Sequence, residues 1–373
     1  MSTLVPERLR KLVDRCRREV DEGRIPGCQL ALGFDGEIVL FEAFGDLTTD
    51  HRLLTYSAIK PTVSLTVLEL AAEGLLDLDA PVSAVLPSFG TNGKEAITLS
   101  QVLLHAGGFP HGPMGPAEFA DRAARLARYG QWRTTWEPGT RFEYHASAAH
   151  WVLADCITEV TGRHHADVVT DRVMTPAGCS RWLAIPAEDQ ADIVEVVSVG
   201  EAPDLADLAR QFGIEELPVT EVTDDALLAF NDPELRAAGH PGGGGVTSAA
   251  EMAQWYQAIL HDDGEILRPE VKVDALETIR QTHVDWMGVS ANRTHAFTIA
   301  GDDGQALMRG YGHGTGPTAF GHGGAKGQRG YADPSTGISL GFMTHGLDRN
   351  DLVTAKRCAG IVSAAGMVTV PVD

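Results

Sequence analysis

The stretch "TYSAIKPTVSLTVLELAAEG", Thr55 to Gly74, places a serine and a lysine three residues apart at the mouth of an apolar helical run. Three residues apart on a helix, two side chains share a face, so the Lys60 ammonium comes within hydrogen-bonding reach of the Ser57 hydroxyl. A helix N-terminus also favours a developing alkoxide. Pro61 falls in the first turn, where its missing N–H has no intrahelical partner anyway. With six lysines and fourteen serines in 373 residues, a chance Ser-x-x-Lys is expected about 0.2 times. Alone, the pair describes equally well a nucleophile beside its activator and a capping serine beside a surface lysine.

A serine hydroxyl needs a base, and a lysine at its ordinary pKa is protonated unless burial or neighbours depress it. The stretch "WEPGTRFEYHASAAHWVLADCITEVTG" offers Tyr144, after a Pro-Gly turn and before a helical run. A lysine cation pulls a nearby phenol toward phenolate, which then takes the serine proton and passes it to the leaving group. An ordinary half-buried tyrosine fits the same residues. The third stretch is "FGHGGAKG", Phe320 to Gly327. Gly323 and Gly324 let a substrate lie against an edge strand, since glycine serves where two backbones approach closely. The N–H of Ala325, with that of Ser57, then forms an oxyanion hole worth about 3 kcal/mol per donor. A phosphate cradle is the alternative, but neither P-loop spacing nor a full G-x-G-x-x-G is present. There is no G-x-S-x-G elbow, which argues against an α/β-hydrolase.

Outward from these residues, "PGCQLALGFDGEIVLFEAFGD" reads as strand, tight turn at Asp35-Gly36, and strand. The C-terminal third has the same character, with short apolar runs broken by Gly and by Asp333-Pro334, and "KRCAGIVSAAGMV" closes with helical spacing. The middle reads as helices at Leu99 to Leu104, Pro116 to Tyr129, Ala146 to Thr161 and Ala249 to Leu260. The expected class is α/β in the broad α+β sense, an antiparallel sheet built from both termini and flanked by helices. On that plan residues 1–85 with 240–373 form the sheet domain and 86–239 a helical domain. Between Glu201 and Arg236 stand ten acidic and two basic residues, a solvated surface insertion or else a lid or wall of a substrate cleft.

Thirty basic against 51 acidic residues give a formal charge of −21, which argues against nucleic acid and anionic membrane surfaces as partners. The charged amphipathic start and the absence of any eighteen-residue apolar window predict a cytoplasmic protein. Five scattered cysteines without a C-x-x-C pair indicate neither a disulfide framework nor a zinc site but free, mostly buried thiols. Fourteen histidines lack ligand spacing, so no metal is expected. Core packing is the expected role for most of the six tryptophans, although Trp132, Trp136 and Trp286 fall in segments that could line a cleft.

Taken in order, Ser57-x-x-Lys60, Tyr144 and His322-Gly323-Gly324 resemble the three motifs of the serine β-lactamase and penicillin-binding-protein superfamily. The likeness is to the branch of class C β-lactamases and the β-lactamase-like, family VIII type carboxylesterases. "EGLLDLDAPVSAVLP", "ITLSQVLLHAGGFP", "GGGGVTSAAEMAQWYQAIL" and "FGHGGAKGQRGYADPSTGISL" carry it across residues 10 to 365. The resemblance implies a β-lactamase/transpeptidase-like fold with Ser57 as nucleophile, Lys60 and Tyr144 as proton-transfer partners, and Ser57 and Ala325 as the oxyanion hole. His322, Gly323 and Gly324 bind substrate, and no cofactor is needed. Two departures matter: the family's Tyr-x-Asn reads Tyr144-His145-Ala146, and its Lys-Thr-Gly reads His322-Gly323-Gly324. Both move the expectation from β-lactam or cell-wall peptide toward a small ester, cleaved through an acyl-enzyme. Acyl transfer, amide hydrolysis within the same superfamily, and a fold kept only for binding are the rivals. Oligomeric state is not legible.

Overall fold

The computed structural model describes residues 2–213, 215 and 221–372. Gly27–Phe34 (β1) is buried along nearly its whole length. Asp35 and Gly36 then take φ of 53° and 85°, the left-handed pair that a right-twisted two-residue hairpin requires. The chain returns antiparallel as Glu37–Gly45 (β2), so the hairpin read around Asp35-Gly36 is present. The other strands come from the far end of the sequence: Thr298–Ile299 (β3), Phe320–Gly323 (β4), Arg329–Asp333 (β5) and Ile338–Thr344 (β6). The sheet runs β2-β1-β6-β5-β4-β3, antiparallel throughout.

The helices that frame it are Pro6–Asp21 (α1), Lys60–Ala72 (α2), Ala148–Thr161 (α3), Ala249–His261 (α4) and Asp351–Gly366 (α5). On one face, Leu12 and Cys16 of α1 and Ile361 and Val362 of α5 join Leu30, Leu32, Leu340 and Phe342 in one apolar cluster. Each fully buried side chain of this size contributes about 1.5–3 kcal/mol. On the other face α4 touches the sheet backbone: a Cβ at Gly341 would lie 2.0 Å from the Ala249 carbonyl oxygen, so only glycine fits there. A larger cluster joins α2 and α3 through Leu65, Leu68, Trp151 and Ile157, with Phe89, Phe109 and Trp132. Nearly every residue of α2 is buried, its polar Lys60, Thr62, Ser64, Thr66 and Glu69 included.

The expected helices are present with one difference. Pro116 to Tyr129 is two helices, Pro116–Phe119 and Arg122–Tyr129, because the Asp121 carboxylate accepts the Ala124 N–H and starts a new one. Trp132, Trp151, Trp182 and Trp255 are core residues, Trp136 is half-buried, and Trp286 is 49% exposed. All five cysteines are free and buried. Among the described residues, no helix is long and apolar enough to cross a membrane.

Residues 214 and 216–220 of the acidic segment lie outside the described residues. Leu205–Phe212 is a helix, but the part after Glu221 turns inward: Leu227 and Phe230 pack with Leu54, Tyr56 and Val246. That half is a wall behind the Ser57 turn rather than a solvated insertion.

Candidate active site

Ser57 sits in a 3-10 turn, Tyr56–Ile59, that runs directly into α2 at Lys60. The turn is pinned on both sides. The Thr55 N–H donates to the Gly245 carbonyl at 2.8 Å. Tyr56, an aromatic residue at a left-handed φ of 46°, donates its hydroxyl to the Leu227 carbonyl at 3.3 Å and meets the Phe230 ring edge-on at 6.2 Å. A bulky residue in that region is strained and persists only where its surroundings hold it. The inner half of the acidic segment supplies that hold.

Lys60 is 1% exposed. Its Nζ lies 3.0 Å from Ser57 Oγ and also donates to the Gly242 carbonyl. Among the described residues no carboxylate forms an ion pair with it. Burial therefore dominates and pulls its pKa from 10.5 to about 7; Glu221 opposes the fall and Arg293 adds to it. A lysine that is half neutral near pH 7 has a lone pair to accept the serine proton along the contact that already exists.

Tyr144 lies against this pair, with Lys60 Nζ 5.2 Å from its ring centroid. Its hydroxyl is sealed from solvent without a completed hydrogen bond. Burial pushes the phenol up to about 12, although the adjacent Ser57 hydroxyl and the Arg293 charge both favour ionisation. The expected pull toward phenolate is thus reversed, because desolvation outweighs the neighbouring cations. Lysine is the readily deprotonated member and tyrosine the protonated one.

Imidazoles surround the phenol. His105 stacks tilted at 4.6 Å and His322 lies at 6.1 Å, while His150 lies 5.9 Å from His105. Burial holds all three far below the ordinary histidine range, so they are neutral. His322 donates Nδ1–H to the Gly323 carbonyl at 2.8 Å, which leaves its Nε2 lone pair without a partner. His145 is structural: its Nε2 accepts the Phe109 N–H at 3.0 Å.

On the third side, β3 pairs only with Phe320 and Gly321, so it does not extend along His322 and Gly323; the His322 N–H donates to the Tyr256 hydroxyl at 3.1 Å. At Gly324 the chain's own packing requires a glycine, because the close atom is backbone; at Gly323 it is the mobile end of an arginine. A Cβ on Gly324 would lie 2.1 Å from the Thr55 carbonyl oxygen, and one on Gly323 would lie 2.3 Å from Arg329 Nη1. Gly324 thereby lets the end of β4 press on the Ser57 turn, bringing Ala325 into the cluster that contains Tyr56.

Ser57, Lys60, Tyr144 and His322 to Ala325 thus come together. Sequence reasoning missed several others. Glu221 accepts the Ser147 N–H at 2.8 Å, and Ser147 Oγ meets His240 Nε2 at 2.8 Å. His240 Nδ1 accepts the Gly242 N–H at 3.1 Å, and the Gly242 carbonyl holds Lys60. His105, His150 and Arg293 carry no local spacing that marks them. The glycine run from Gly242 to Gly245, part of the family resemblance, lies against Lys60: a Cβ at Gly242 would come 3.3 Å from Lys60 Nζ.

Comparison with known proteins accords with this arrangement. A family model described as Beta-lactamase matches residues 9–359. "Penicillin-binding protein 4" of Amycolatopsis lactamdurans is 25% identical over 352 residues, 87% of this chain and 82% of that one. "Esterase/beta-lactamase LipL" of Mycobacterium tuberculosis is 25% identical over 356 residues, 86% of this chain and 77% of that one. The crystal structure of a family VIII carboxylesterase shares the fold, with a TM-score of 0.75 and 24% identity over 96% of this chain and 99% of that one. A family match from end to end and a shared β-lactamase/transpeptidase-like fold lead to one statement: this chain belongs to the Beta-lactamase family, as a hydrolase of that fold.

Proposed function

We propose that the protein hydrolyses small carboxylic esters through an acyl-enzyme on Ser57. The observation that carries this reading is the 3.0 Å contact between Ser57 Oγ and a buried Lys60 whose pKa falls to about 7. Neutral Lys60 takes the serine proton as Oγ attacks the ester carbonyl. The N–H groups of Ser57 and Ala325 stabilise the oxyanion, each worth about 3 kcal/mol. As the tetrahedral intermediate collapses, Tyr144 gives its proton to the departing alkoxide and recovers one from the Lys60 ammonium. Water then attacks the acyl-enzyme, Lys60 accepts its proton, and Ser57 leaves protonated.

What the site lacks favours ester over amide. Ala146 has no side-chain amide to grip an amide carbonyl. His322, held neutral by burial, offers a lone pair where the resembled family places a cation. The esterase in the name of LipL agrees with this reading. The test is intact-protein mass after brief exposure to p-nitrophenyl acetate or butyrate, with p-nitrophenol release followed in parallel. Turnover and a trapped acyl adduct, both lost in Ser57→Ala, are expected. Turnover that survives in Ser57→Ala would overturn the mechanism, and product diverted wholly to an added amine or alcohol would make the enzyme an acyltransferase.

A further inference from the structure

The glycine run from Gly242 to Gly245 is folded around one residue, His240. The N–H groups of Gly243 and Gly244 donate to the His240 carbonyl at 3.2 and 2.8 Å, and that of Gly242 donates to His240 Nδ1 at 3.1 Å. Because Nδ1 accepts, the ring proton sits on Nε2, which donates to Ser147 Oγ at 2.8 Å. Burial lowers the pKa of this imidazole to about 3, so it is neutral. The ring is enclosed by Phe119, Trp151 and Phe230, met edge-on at 4.9, 5.1 and 5.5 Å. The residue before it is tied down as well, since His165 Nε2 donates to the Gly239 carbonyl at 2.8 Å. A side chain so enclosed, with both nitrogens engaged, has one orientation.

The turn built on His240 grips the Ser57 turn at both ends. The Gly242 carbonyl accepts from Lys60 Nζ. The Gly245 carbonyl accepts the Thr55 N–H at 2.8 Å and the Thr55 hydroxyl at 3.2 Å. The Gly242 carbonyl shares its peptide plane with the Gly243 N–H, so both planes flanking the Gly242 Cα are anchored on His240, one through the ring and one through the backbone. Glycine has no side chain to restrict those planes, and without the ring the first of them is released. A neutral lysine has two N–H groups and one lone pair. With one N–H held by the Gly242 carbonyl and Ser57 Oγ only 3.0 Å away, the lone pair is kept on the serine side. Once Lys60 has taken the serine proton, the same carbonyl accepts a charge-assisted hydrogen bond, stronger than the neutral one.

We propose that His240 is a positioning residue: by accepting the Gly242 N–H on Nδ1 it fixes the carbonyl that orients Lys60 toward Ser57. The assignment rests on the proton transfer of the ester-hydrolysis reading.

The test is NMR titration of the full chain labelled at lysine 13Cε, which holds six lysines, with the Lys60 resonance assigned by its loss in Lys60→Met. His240→Phe fills the same aromatic enclosure but offers no acceptor. Its Lys60 midpoint falls by about one pH unit, because the ammonium loses more than the free amine when the carbonyl drifts away. His240→Asn, whose side-chain oxygen reaches the Gly242 N–H, stays within about a third of that shift from wild type. Ser57 labelling by a fluorophosphonate, read above every midpoint so that Lys60 is neutral throughout, slows about tenfold or more in His240→Phe and is largely recovered in His240→Asn. A packing role predicts the opposite order, with His240→Phe mild and His240→Asn severe. A folded His240→Phe whose midpoint stays or rises, or a His240→Asn displaced as far as His240→Phe, overturns the assignment. Should His240→Phe not fold, His240→Leu takes its place under the same criterion. The titration needs no turnover. Midpoints that move as expected in a protein that hydrolyses no ester sink the ester reading and leave His240 in place; ester turnover with an unmoved midpoint in His240→Phe does the reverse.

Discussion

Replacing Lys60 by methionine is expected to abolish turnover and yet steady the fold at acidic pH. Burial lowers the Lys60 pKa from 10.5 to about 7, so ionising it inside the protein costs about 5 kcal/mol more than in the unfolded chain. Below about pH 7 both states carry the proton and that cost is fully present. Between about 7 and 10.5 the folded state releases its proton while the unfolded chain keeps it, so the cost fades as pH rises. Relative to a neutral side chain, Lys60 costs about 5 kcal/mol near pH 6 and about 2 kcal/mol near pH 9. Methionine removes this, but takes a partner from the Gly242 carbonyl and from Ser57 Oγ, a loss of about 3 kcal/mol together. The variant should therefore be about 2 kcal/mol more stable than wild type near pH 6 and about 1 kcal/mol less stable near pH 9. Guanidinium melts of both proteins across that range measure the difference directly. A gap between variant and wild type that does not change with pH would refute the depressed pKa, and with it the assignment of Lys60 as base.

Three further outcomes are expected. The acid limb of kcat/KM for p-nitrophenyl butyrate should have its midpoint at about pH 7, with activity falling about tenfold per unit below it; a midpoint near that of an ordinary lysine would refute the depressed pKa of Lys60. Tyr144→Phe should lower kcat by about 10²- to 10⁴-fold with Tm unchanged or slightly raised, since the buried hydroxyl has no completed hydrogen bond; wild-type kcat would remove it from the relay. Gly324→Ala forces a Cβ to within 2.1 Å of the Thr55 carbonyl oxygen, which should cost about 1–3 kcal/mol and, by moving Ala325 away from Ser57, about a hundredfold in kcat. A Gly324→Ala enzyme with normal melting and normal kcat would show that β4 does not bear on the Ser57 turn.

What was legible in the sequence is what depends on local pattern. Asp35-Gly36 marked its hairpin because two left-handed residues in succession have few solutions, and Ser57, Lys60 and Tyr144 were found because three motifs occur in one order. Strand β3 was not found: two residues carry no periodicity, and Thr298 and Ile299 are a strand only because β4 lies beside them. The break at Asp121 was readable in principle as an N-cap inside a helical pattern. Glu221 is brought to the Ser147 N–H by tertiary packing, which no spacing encodes. The direction of the Tyr144 shift failed for the same reason, since a lysine neighbour can be read from sequence but the depth of burial that outweighs it cannot.

The hairpin of β1 and β2 has a cost in time. Leu30 of β1 pairs with Phe342 of β6, more than 300 residues later in the chain. At a synthesis rate of about 5–20 residues per second, β1 waits about 15–60 seconds for its second neighbour. During that interval the apolar side chains of Leu30 and Leu32, and the open hydrogen-bonding edge beside them, face solvent or whatever else is nearby. The helical middle of the chain, whose contacts between α2 and α3 are closer in sequence, can form meanwhile. The sheet must close late, across a loop of more than 300 residues, and such closure is slow. The nascent chain is therefore most exposed to aggregation before β6 and α5 arrive, and Ser57, whose turn is pressed by the end of β4, cannot be set until β4 has been made.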